Sequence, residues 1–415
     1  MSVPLATLPL VEHWECHQCG VCCRGSIVPL REEDLARLRD QKWEEHPDFR
    51  GSRVIVRQDW EGFSYRLAQR DDGCCVFLGP EGRCRIHQEL GEEAKPLICR
   101  SFPRQVIALP DTAILTVRRA CPSAAQELGR PLAEHLPEAR RLAEAAGTLT
   151  APTDPPPLKP GEQRTWPTAL KFLECLARLL RDERYPPVRR VAHGLVVCRQ
   201  LERANTAQLS DPRCGELLEA WEKTAADEAA PGFARRREVS GTPSVVFRQM
   251  ALEYVRVHPR FRIRDSWSNR WRMFRAGWRM IRGTGQTPHL SAEFPAVAFA
   301  ALNEPLGVLA PEVYQPLHRY LETHAASYQY ALVRRAGWSL VESFWSLALA
   351  YAVGLYLLRW RCAGRQPTAE DMADIVAMLD RGQGYVPLAR ARQRGRLRLL
   401  TRQQNLDRLL IWHAR

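Results

Sequence analysis

The sequence is poor in lysine and in the motifs that mark common enzyme classes. Lysine supplies only five of its 60 basic residues, at positions 42, 95, 159, 171 and 223. No Gly-x-Gly-x-x-Gly turn follows a strand pattern, and no P-loop or Ser-His-Asp pattern stands out. Rossmann-type, nucleoside-triphosphate and serine-hydrolase sites are therefore not indicated, and we nominate no catalytic or cofactor-binding residue.

A secretory signal is also missing from the N-terminal stretch MSVPLATLPLVEHWEC. It has no basic start, no long apolar core and no small-residue cleavage site, so we expect a cytoplasmic protein. In that reducing compartment, clustered cysteines are more often metal ligands or redox groups than disulfides. The 13 cysteines are interpreted on that basis.

Long hydrophobic runs are scarce. The uncharged stretch SFWSLALAYAVGLYLL, residues 343–358, would rise about 24 Å as a helix, less than the roughly 30 Å hydrocarbon layer of a bilayer. We therefore predict a buried core helix and no transmembrane span.

The formal charge of +13 is unevenly distributed. Residues 1–150 contain 20 basic and 22 acidic side chains, whereas residues 151–415 contain 40 and 25. Nearly all the basic residues are arginines, a bias that genome composition produces without selection for binding. We predict no nucleic-acid partner from this charge.

The proline-rich stretch TAPTDPPPLKPG at residues 150–161 favours an extended spacer. We predict a cysteine-cluster metal-binding domain at 1–150, a linker at 151–161 and a helical domain at 162–415. The first domain combines a short helix over Glu32–Leu38 with strands at 53–57, 63–68, 76–78 and 113–117. The fold class expected is therefore α+β, with a small N-terminal domain and a mostly α-helical C-terminal one.

In the second half, five apolar side chains recur at intervals of four, three, four and three residues: Trp267, Trp271, Phe274, Trp278 and Ile281. This spacing predicts one apolar helical face with arginines largely elsewhere. Docking on a membrane surface or an acidic partner is one interpretation. We favour the other, in which the aromatic side chains pack into the second domain.

The cysteines carry the strongest signal, because nine of the 13 lie within the first 121 residues. Four form Cys16-x-x-Cys19-Gly20-Val21-Cys22-Cys23. A C-x-x-C turn directs two thiolates to one metal, in tetrahedral zinc sites and in iron-sulfur clusters alike. Gly20 suits a backbone folded tightly around such a centre.

A second group follows at Cys74, Cys75, Cys84 and Cys99, with Cys121 directly before Pro122. One zinc ion needs only four ligands, so the surplus predicts two sites or a polynuclear cluster, and iron-sulfur and zinc both stay open. His87 follows Cys84 at a ligand-like spacing, but its context is equally typical of a surface strand end. For Cys175, Cys198, Cys214 and Cys362, isolated on apolar helical faces, we predict core packing.

The motifs resemble those of the CxxCxxCC cysteine-cluster family of bacterial zinc- or iron-chelating proteins. The matching segments are the 16–23 motif, Cys75-Val-Phe77-Leu78, Gly82-x-Cys84-x-Ile86, Pro96-x-x-Cys99-Arg100-x-Phe102-Pro103 and Cys121-Pro122. The resemblance covers about residues 16–122. It implies eight metal ligands: Cys16, Cys19, Cys22, Cys23, Cys75, Cys84, Cys99 and Cys121. It implies no role for Cys74.

Glu89-Leu-Gly-Glu92 and Cys99-Arg-Ser-Phe-Pro-Arg104 resemble the flagellin lysine N-methylase branch of this family. That resemblance implies a protein lysine N-methyltransferase with a methyl donor and a flagellin-like protein substrate. No motif in the C-terminal half of the chain adds to this resemblance. The alternative is a non-catalytic zinc- or iron-chelating or structural module with a helical partner-binding domain.

Overall fold

The computed structural model describes residues 3–60, 63–256, 267–333, 337–384 and 391–415. Within these ranges the N-terminal part combines short strands with short helices, and the C-terminal part is helical. The predicted α+β class is therefore confirmed.

Short β-strands are confined to the N-terminal part of the described chain. They are β1 (Leu5–Thr7), β2 (His13–Trp14), β3 (Pro29–Leu30), β4 (Ile55–Trp60), β5 (Phe63–Leu67), β6 (Arg104–Ala108), β7 (Ala113–Val117) and β8 (Arg130–Pro131). They form three small sheets in the orders β1-β7-β6, β2-β8 and β3-β5-β4. β1 runs parallel to β7, and the other pairs are antiparallel.

Short helices connect these sheets. They are α1 (Glu32–Asp40), α2 (Arg85–Leu90), α3 (Leu97–Ser101), α4 (Pro122–Ala125) and α5 (Leu136–Ala146). Buried aromatic rings fill the core between α1 and the β3-β5-β4 sheet: Trp43 and Phe49 pack edge to face, and both contact Phe77. Such pairs add roughly 0.5–1.5 kcal/mol each beyond the buried area.

The C-terminal part is built from longer helices. They are α6 (Trp166–Arg181), α7 (Pro187–Arg203), α8 (Asp211–Arg235), α9 (Thr242–Arg256), α10 (Trp267–Arg282), α11 (Pro311–Ser327), α12 (Gln329–Leu332), α13 (Leu340–Arg361), α14 (Ala369–Gly384), α15 (Ala391–Thr401) and α16 (Asn405–His413). One large apolar core joins them. Leu158, from the proline-rich stretch, is fully buried in that core.

Helix α13 is the centre of this core. Its 22 residues are long and apolar enough to cross a membrane, yet the apolar window is entirely buried inside the protein. The argument from length was wrong because it counted only the uncharged residues 343–358. The helix has 22 residues and rises about 33 Å, which is enough to cross the hydrocarbon layer. Burial among α7, α11, α14 and α16 instead identifies α13 as a core helix.

The start of α13 is fixed by a capping box. Ser339 accepts the Glu342 amide, and the Glu342 carboxylate accepts the Ser339 amide at 3.0 Å. Glu342 is fully buried, which opposes ionisation, but bonds from Arg394, Ser339 and Arg398 hold its pKa below the usual value. These bonds connect α13 to α15.

Some local predictions were wrong. Residues 76 and 77 form a turn rather than a strand, and Leu78 makes only an isolated bridge, because the chain reverses there to bring Cys84 back beside it. The aromatic stripe of α10 is exposed rather than packed. The inward face of this helix is instead made by Met273, Ala276 and Met280.

Candidate metal centre

The first cysteine motif is a tight turn. Gly20 has a left-handed backbone with φ of 67°, and residues Val21–Cys23 form one 3-10 turn, in which the Cys23 amide donates to the Gly20 carbonyl at 3.1 Å. The Cys23 carbonyl accepts the Cys75 amide at 2.7 Å. The first and second cysteine segments are therefore joined through their backbones.

Gly20 is required by close approach as well as by its backbone conformation. A Cβ at this position would lie 2.2 Å from the carbonyl oxygen of Gly82. Gly82 lies in the loop that leads to Cys84, so the absence of a side chain at Gly20 lets two cysteine segments touch. The tight fold predicted at Gly20 is confirmed, and a metal beside it stays a prediction.

The remaining cysteine segments are held by short helices. Cys84 precedes the first residue of α2 and bridges back to Leu78. Cys99 lies inside α3, where its amide donates to the Pro96 carbonyl at 2.9 Å. Local turns therefore bring cysteines far apart in sequence to one side of the domain.

Six of the eight predicted ligands line one cavity of about 110 Å³. We call it the thiol cavity, and its cysteines are Cys16, Cys22, Cys23, Cys75, Cys84 and Cys99. Apolar side chains such as Val28, Phe77, Ile86 and Phe102 form much of its wall. An apolar wall of this kind strengthens an interaction between thiolates and a cation, although Cys16 and Cys22 are themselves exposed to solvent.

The other two predicted ligands lie outside the thiol cavity. Cys19 lines a second cavity of about 650 Å³ on the other side of the cysteine loop. Cys121 immediately precedes α4 and packs against Trp14 and Leu115. Cys19 and Cys22 both raise the pKa of Cys121 through their charges, after the larger effect of burial, so Cys121 lies near both of these cysteines.

The electrostatics of the predicted ligands favour protonated thiols. Burial raises the pKa of Cys75 to about 12 and that of Cys121 to about 11. Burial also raises the pKa of Cys99 well above its usual value, with further increases from the neighbouring Cys75, Cys22 and Cys84. Like charges in a desolvated site oppose one another. Ionisation of several of these thiols therefore requires a cation.

One cation already lines the thiol cavity. Lys95 is almost fully buried, and its ammonium lies 3.3 Å from Glu92. Burial is the largest effect on the pKa of Cys16, Cys84 and Cys99, and a hydrogen bond with Cys23 is the largest on that of Cys22; both raise the pKa, and the positive charge of Lys95 acts against them. Sequence reasoning missed this residue. The available signal was its rarity. Lys95 is one of only five lysines in the chain, and it directly precedes Pro96-x-x-Cys99.

Other residues are placed as follows. His87, whose sequence context was equally typical of a ligand and of a surface strand end, lines the thiol cavity. Cys74 is buried outside it, where Arg24 donates to its sulfur at 3.8 Å. Cys175, Cys198, Cys214 and Cys362 are buried in the helical core, as predicted. All 13 cysteines lie in described residues and are free.

The thiols share the cavity without converging on a point. Among the described residues, no three or more cysteine, histidine or carboxylate side chains are already arranged as a coordination sphere. The sulfurs of Cys22 and Cys23 are 4.0 Å apart, close to the roughly 3.8 Å edge of a tetrahedron with Zn–S bonds of about 2.3 Å. The donor set fits a thiophilic metal, and binding requires rotation of cysteine side chains.

The second cavity separates the cysteine loop from α14. Cys19, Val21 and Arg24 line one side, and Asp374 and Arg381 of α14 line the other. Arg381 crosses between them and donates to the carbonyls of Val21 and Arg24. The helical part of the chain therefore supports the cysteine loop directly.

The fold and the cysteines together define a cysteine-cluster protein with a helical C-terminal part. Residues 15–122 match the CxxCxxCC family model, described as "Putative zinc- or iron-chelating domain". This region is therefore a domain of that family, and the predicted resemblance at the family level is confirmed.

A curated relative shares the same region. An uncharacterized protein of Methanocaldococcus jannaschii is 32% identical over 112 residues, which is 26% of this chain and 36% of the relative. The chain thus spans about a third of the length of that relative. No solved structure matches this chain.

Proposed function

We propose that the N-terminal domain holds a polynuclear iron or zinc centre bound by thiolates. The ligands would come from the six cysteines of the thiol cavity, with Cys19 and Cys121 extending the centre through Cys22. The single observation that supports this proposal most strongly is that six cysteines line one cavity. Thiolates are the ligands that structural zinc and iron-sulfur clusters use.

The number of thiols supports a polynuclear centre over a mononuclear one. A tetrahedral zinc ion uses four ligands, so one ion would leave two of the six cavity thiols without a metal. A cavity of about 110 Å³ also exceeds the roughly 10–15 Å³ of cavity volume that one water molecule needs. Several metal ions with bridging sulfurs use both the donors and the space.

The protein residues have separate roles in this proposal. Apolar walls lower the local dielectric constant, and the ammonium of Lys95 offsets part of the negative charge that several thiolates accumulate. Arg381 holds the backbone of the cysteine loop from outside. Outer contacts of this kind commonly tune metal affinity.

Two neighbouring cysteines provide a matched test. Cys75 lines the thiol cavity, whereas Cys74 is buried beside Arg24 outside it. The full chain should be purified without oxygen as wild type, Cys75→Ser and Cys74→Ser, with iron, zinc and acid-labile sulfide measured per chain. Cys75→Ser should lose metal and Cys74→Ser should keep it, while circular dichroism shows retained helix in both.

Equal metal content in all three proteins would contradict the proposal, as would a wild-type protein with no more than one metal ion. Brown protein with sulfide would assign an iron-sulfur centre. Colourless protein with several zinc ions would assign a zinc-thiolate centre. Both outcomes agree with a polynuclear site.

Enzymatic use of the centre is a second candidate, favoured by the cavity of about 650 Å³ that Cys19 and α14 share. A cavity of that size beside a metal centre can admit a substrate group. The resemblance in residues 89–92 and 99–104 suggests lysine N-methylation of a flagellin-like protein. Mass spectrometry of cellular proteins from strains with and without the gene tests it, and unchanged lysine methylation would contradict it.

A further inference from the structure

Helix α10 presents an uncovered aromatic stripe. Five large apolar residues are 87%, 61%, 61%, 55% and 39% exposed, in chain order Trp267, Trp271, Phe274, Trp278 and Ile281. At about 100° per residue, their spacing places them within one narrow arc of the helix. Trp271 and Phe274 stack with ring centroids 5.4 Å apart. The stripe is continuous along the helix.

The rest of the protein holds this helix by its opposite side. Ala276 and Met280 are buried against the helical core. Arg248 of α9 fixes the C-terminal end, donating to the carbonyls of Met280 at 2.8 Å and Ile281 at 3.0 Å. The aromatic stripe therefore points away from the protein on a firmly anchored support.

The charge of α10 has one sign. The helix contains five arginines, all exposed, and no acidic residue: Arg270, Arg272, Arg275, Arg279 and Arg282. By helical position, the last three flank one side of the aromatic stripe, and Arg270 lies on the other side. Tryptophan is favoured at the boundary between lipid headgroups and acyl chains, and flanking arginines attract anionic headgroups.

We propose that α10 docks the protein on an anionic lipid surface, with the helix lying in the plane of the interface. The aromatic stripe would enter the headgroup region while the arginines contact lipid phosphates. Charge complementarity selects this occupant. In a symmetric contact between two copies, the arginines of α10 would face one another, which disfavours a second copy of the chain.

Vesicle binding by the full-length protein tests this proposal. Sedimentation should be compared for vesicles of phosphatidylcholine alone and of phosphatidylcholine with phosphatidylglycerol in equal parts. We expect binding to the anionic vesicles, weak binding to the neutral ones, and loss of binding as salt screens the arginines. Brominated lipids should quench tryptophan fluorescence on binding.

Two sets of variants assign the effect to α10. Trp267→Ser, Trp271→Ser and Trp278→Ser together should abolish vesicle binding, whereas Val308→Ser, a fully exposed apolar side chain elsewhere, should not. Reversing Arg275, Arg279 and Arg282 to Glu should weaken partitioning about a hundredfold, since each basic residue near an anionic surface strengthens binding roughly fivefold and three such factors multiply.

The charge control is the triple change Arg50→Glu, Arg203→Glu and Arg402→Glu, which alters net charge equally at exposed positions outside α10. It should bind nearly as the wild type does. Absence of wild-type binding to anionic vesicles, or equal binding by both charge variants, would overturn the proposal. Lipid-free dimerisation in ultracentrifugation that the tryptophan variant abolishes would also overturn it, because the stripe would then be a self-interface.

Discussion

Arg381 donates from Nη2 to the carbonyl oxygen of Val21 at 3.0 Å, so a helix of the C-terminal part holds the backbone of the cysteine motif. Its Nη1 donates to the Arg24 carbonyl at 3.2 Å. Both acceptors flank the Cys22-Cys23 pair. The position of these two thiols therefore depends on α14, which lies far from them in sequence.

Replacing Arg381 by Ala should weaken metal retention without unfolding the protein. The two carbonyls would lose their donor, and the cysteine loop would become less ordered. Loss of such an outer contact typically lowers metal affinity roughly 10- to 100-fold. Transfer of metal to a coloured chelator measures the effect. Arg402→Ala, an exposed arginine remote from the loop, should release metal at the wild-type rate.

The neighbouring residue Asp380 makes a buried ion pair across the same boundary. Its carboxylate accepts Arg118 Nε and the Ala120 amide, both at 2.8 Å. Asp380→Asn should destabilise the protein by about 3–5 kcal/mol, because Arg118 would remain buried without its counter-charge. Chemical denaturation measures this. Asp182→Asn, at the exposed pair with Arg184, should cost no more than about 1 kcal/mol.

The same pair predicts a pH dependence. Burial opposes ionisation of Asp380, but Arg118 and His324 hold its pKa well below the usual value. The folded protein therefore binds this proton less readily than the unfolded chain. The stabilisation is complete above the unfolded pKa of about 4 and is lost as the pH falls below it. The stability difference between wild type and Asp380→Asn should shrink below that pH, and a constant difference would contradict the assignment.

Substitutions at two glycines distinguish the effect of close packing from the effect of backbone strain. Gly20 and Gly51 have φ of 67° and 80°, but an added Cβ meets the Gly82 carbonyl only at Gly20 and nothing within 4 Å at Gly51. Gly51→Ala should cost about 1–2 kcal/mol from the left-handed backbone alone. Gly20→Ala should cost more and should also reduce metal content, as measured by denaturation and by metal analysis. Equal effects would show that the contact with Gly82 is unimportant.

Metal affinity should rise with pH. Burial keeps the pKa of Cys75 near about 12 and that of Cys121 near about 11, so the metal must displace protons from thiols at neutral pH. The apparent affinity should increase about tenfold per pH unit for each proton displaced. Chelator competition across neutral pH measures the slope. A flat profile would argue against thiolate ligands.

The fold class followed from the sequence because periodicity is local. Helix α1 begins at Glu32 and strand β7 spans residues 113–117, as predicted. Strand β6, which pairs with β7, was missed because its sequence does not alternate clearly. The exposure of the α10 stripe could not be predicted, since periodicity defines an apolar face but not whether the protein covers it.

Cysteine spacing and family resemblance indicated eight ligands but not which of them would line the thiol cavity. The separation of Cys19 and Cys121 from the thiol cavity depends on which side of a tight turn each side chain faces. Lys95 and Arg381 were missed for a related reason. Their roles come from tertiary contacts with the cysteine segments. The rarity of lysine was the one sequence signal for Lys95, and no local motif marks Arg381.

The most direct test of the metal centre is X-ray absorption spectroscopy, combined with metal counting, on wild-type protein purified without oxygen. We predict more than one iron or zinc ion per chain, a first shell of sulfur, and a metal–metal distance in the outer shell. A single ion, or a first shell dominated by nitrogen and oxygen, would contradict the proposed polynuclear thiolate centre.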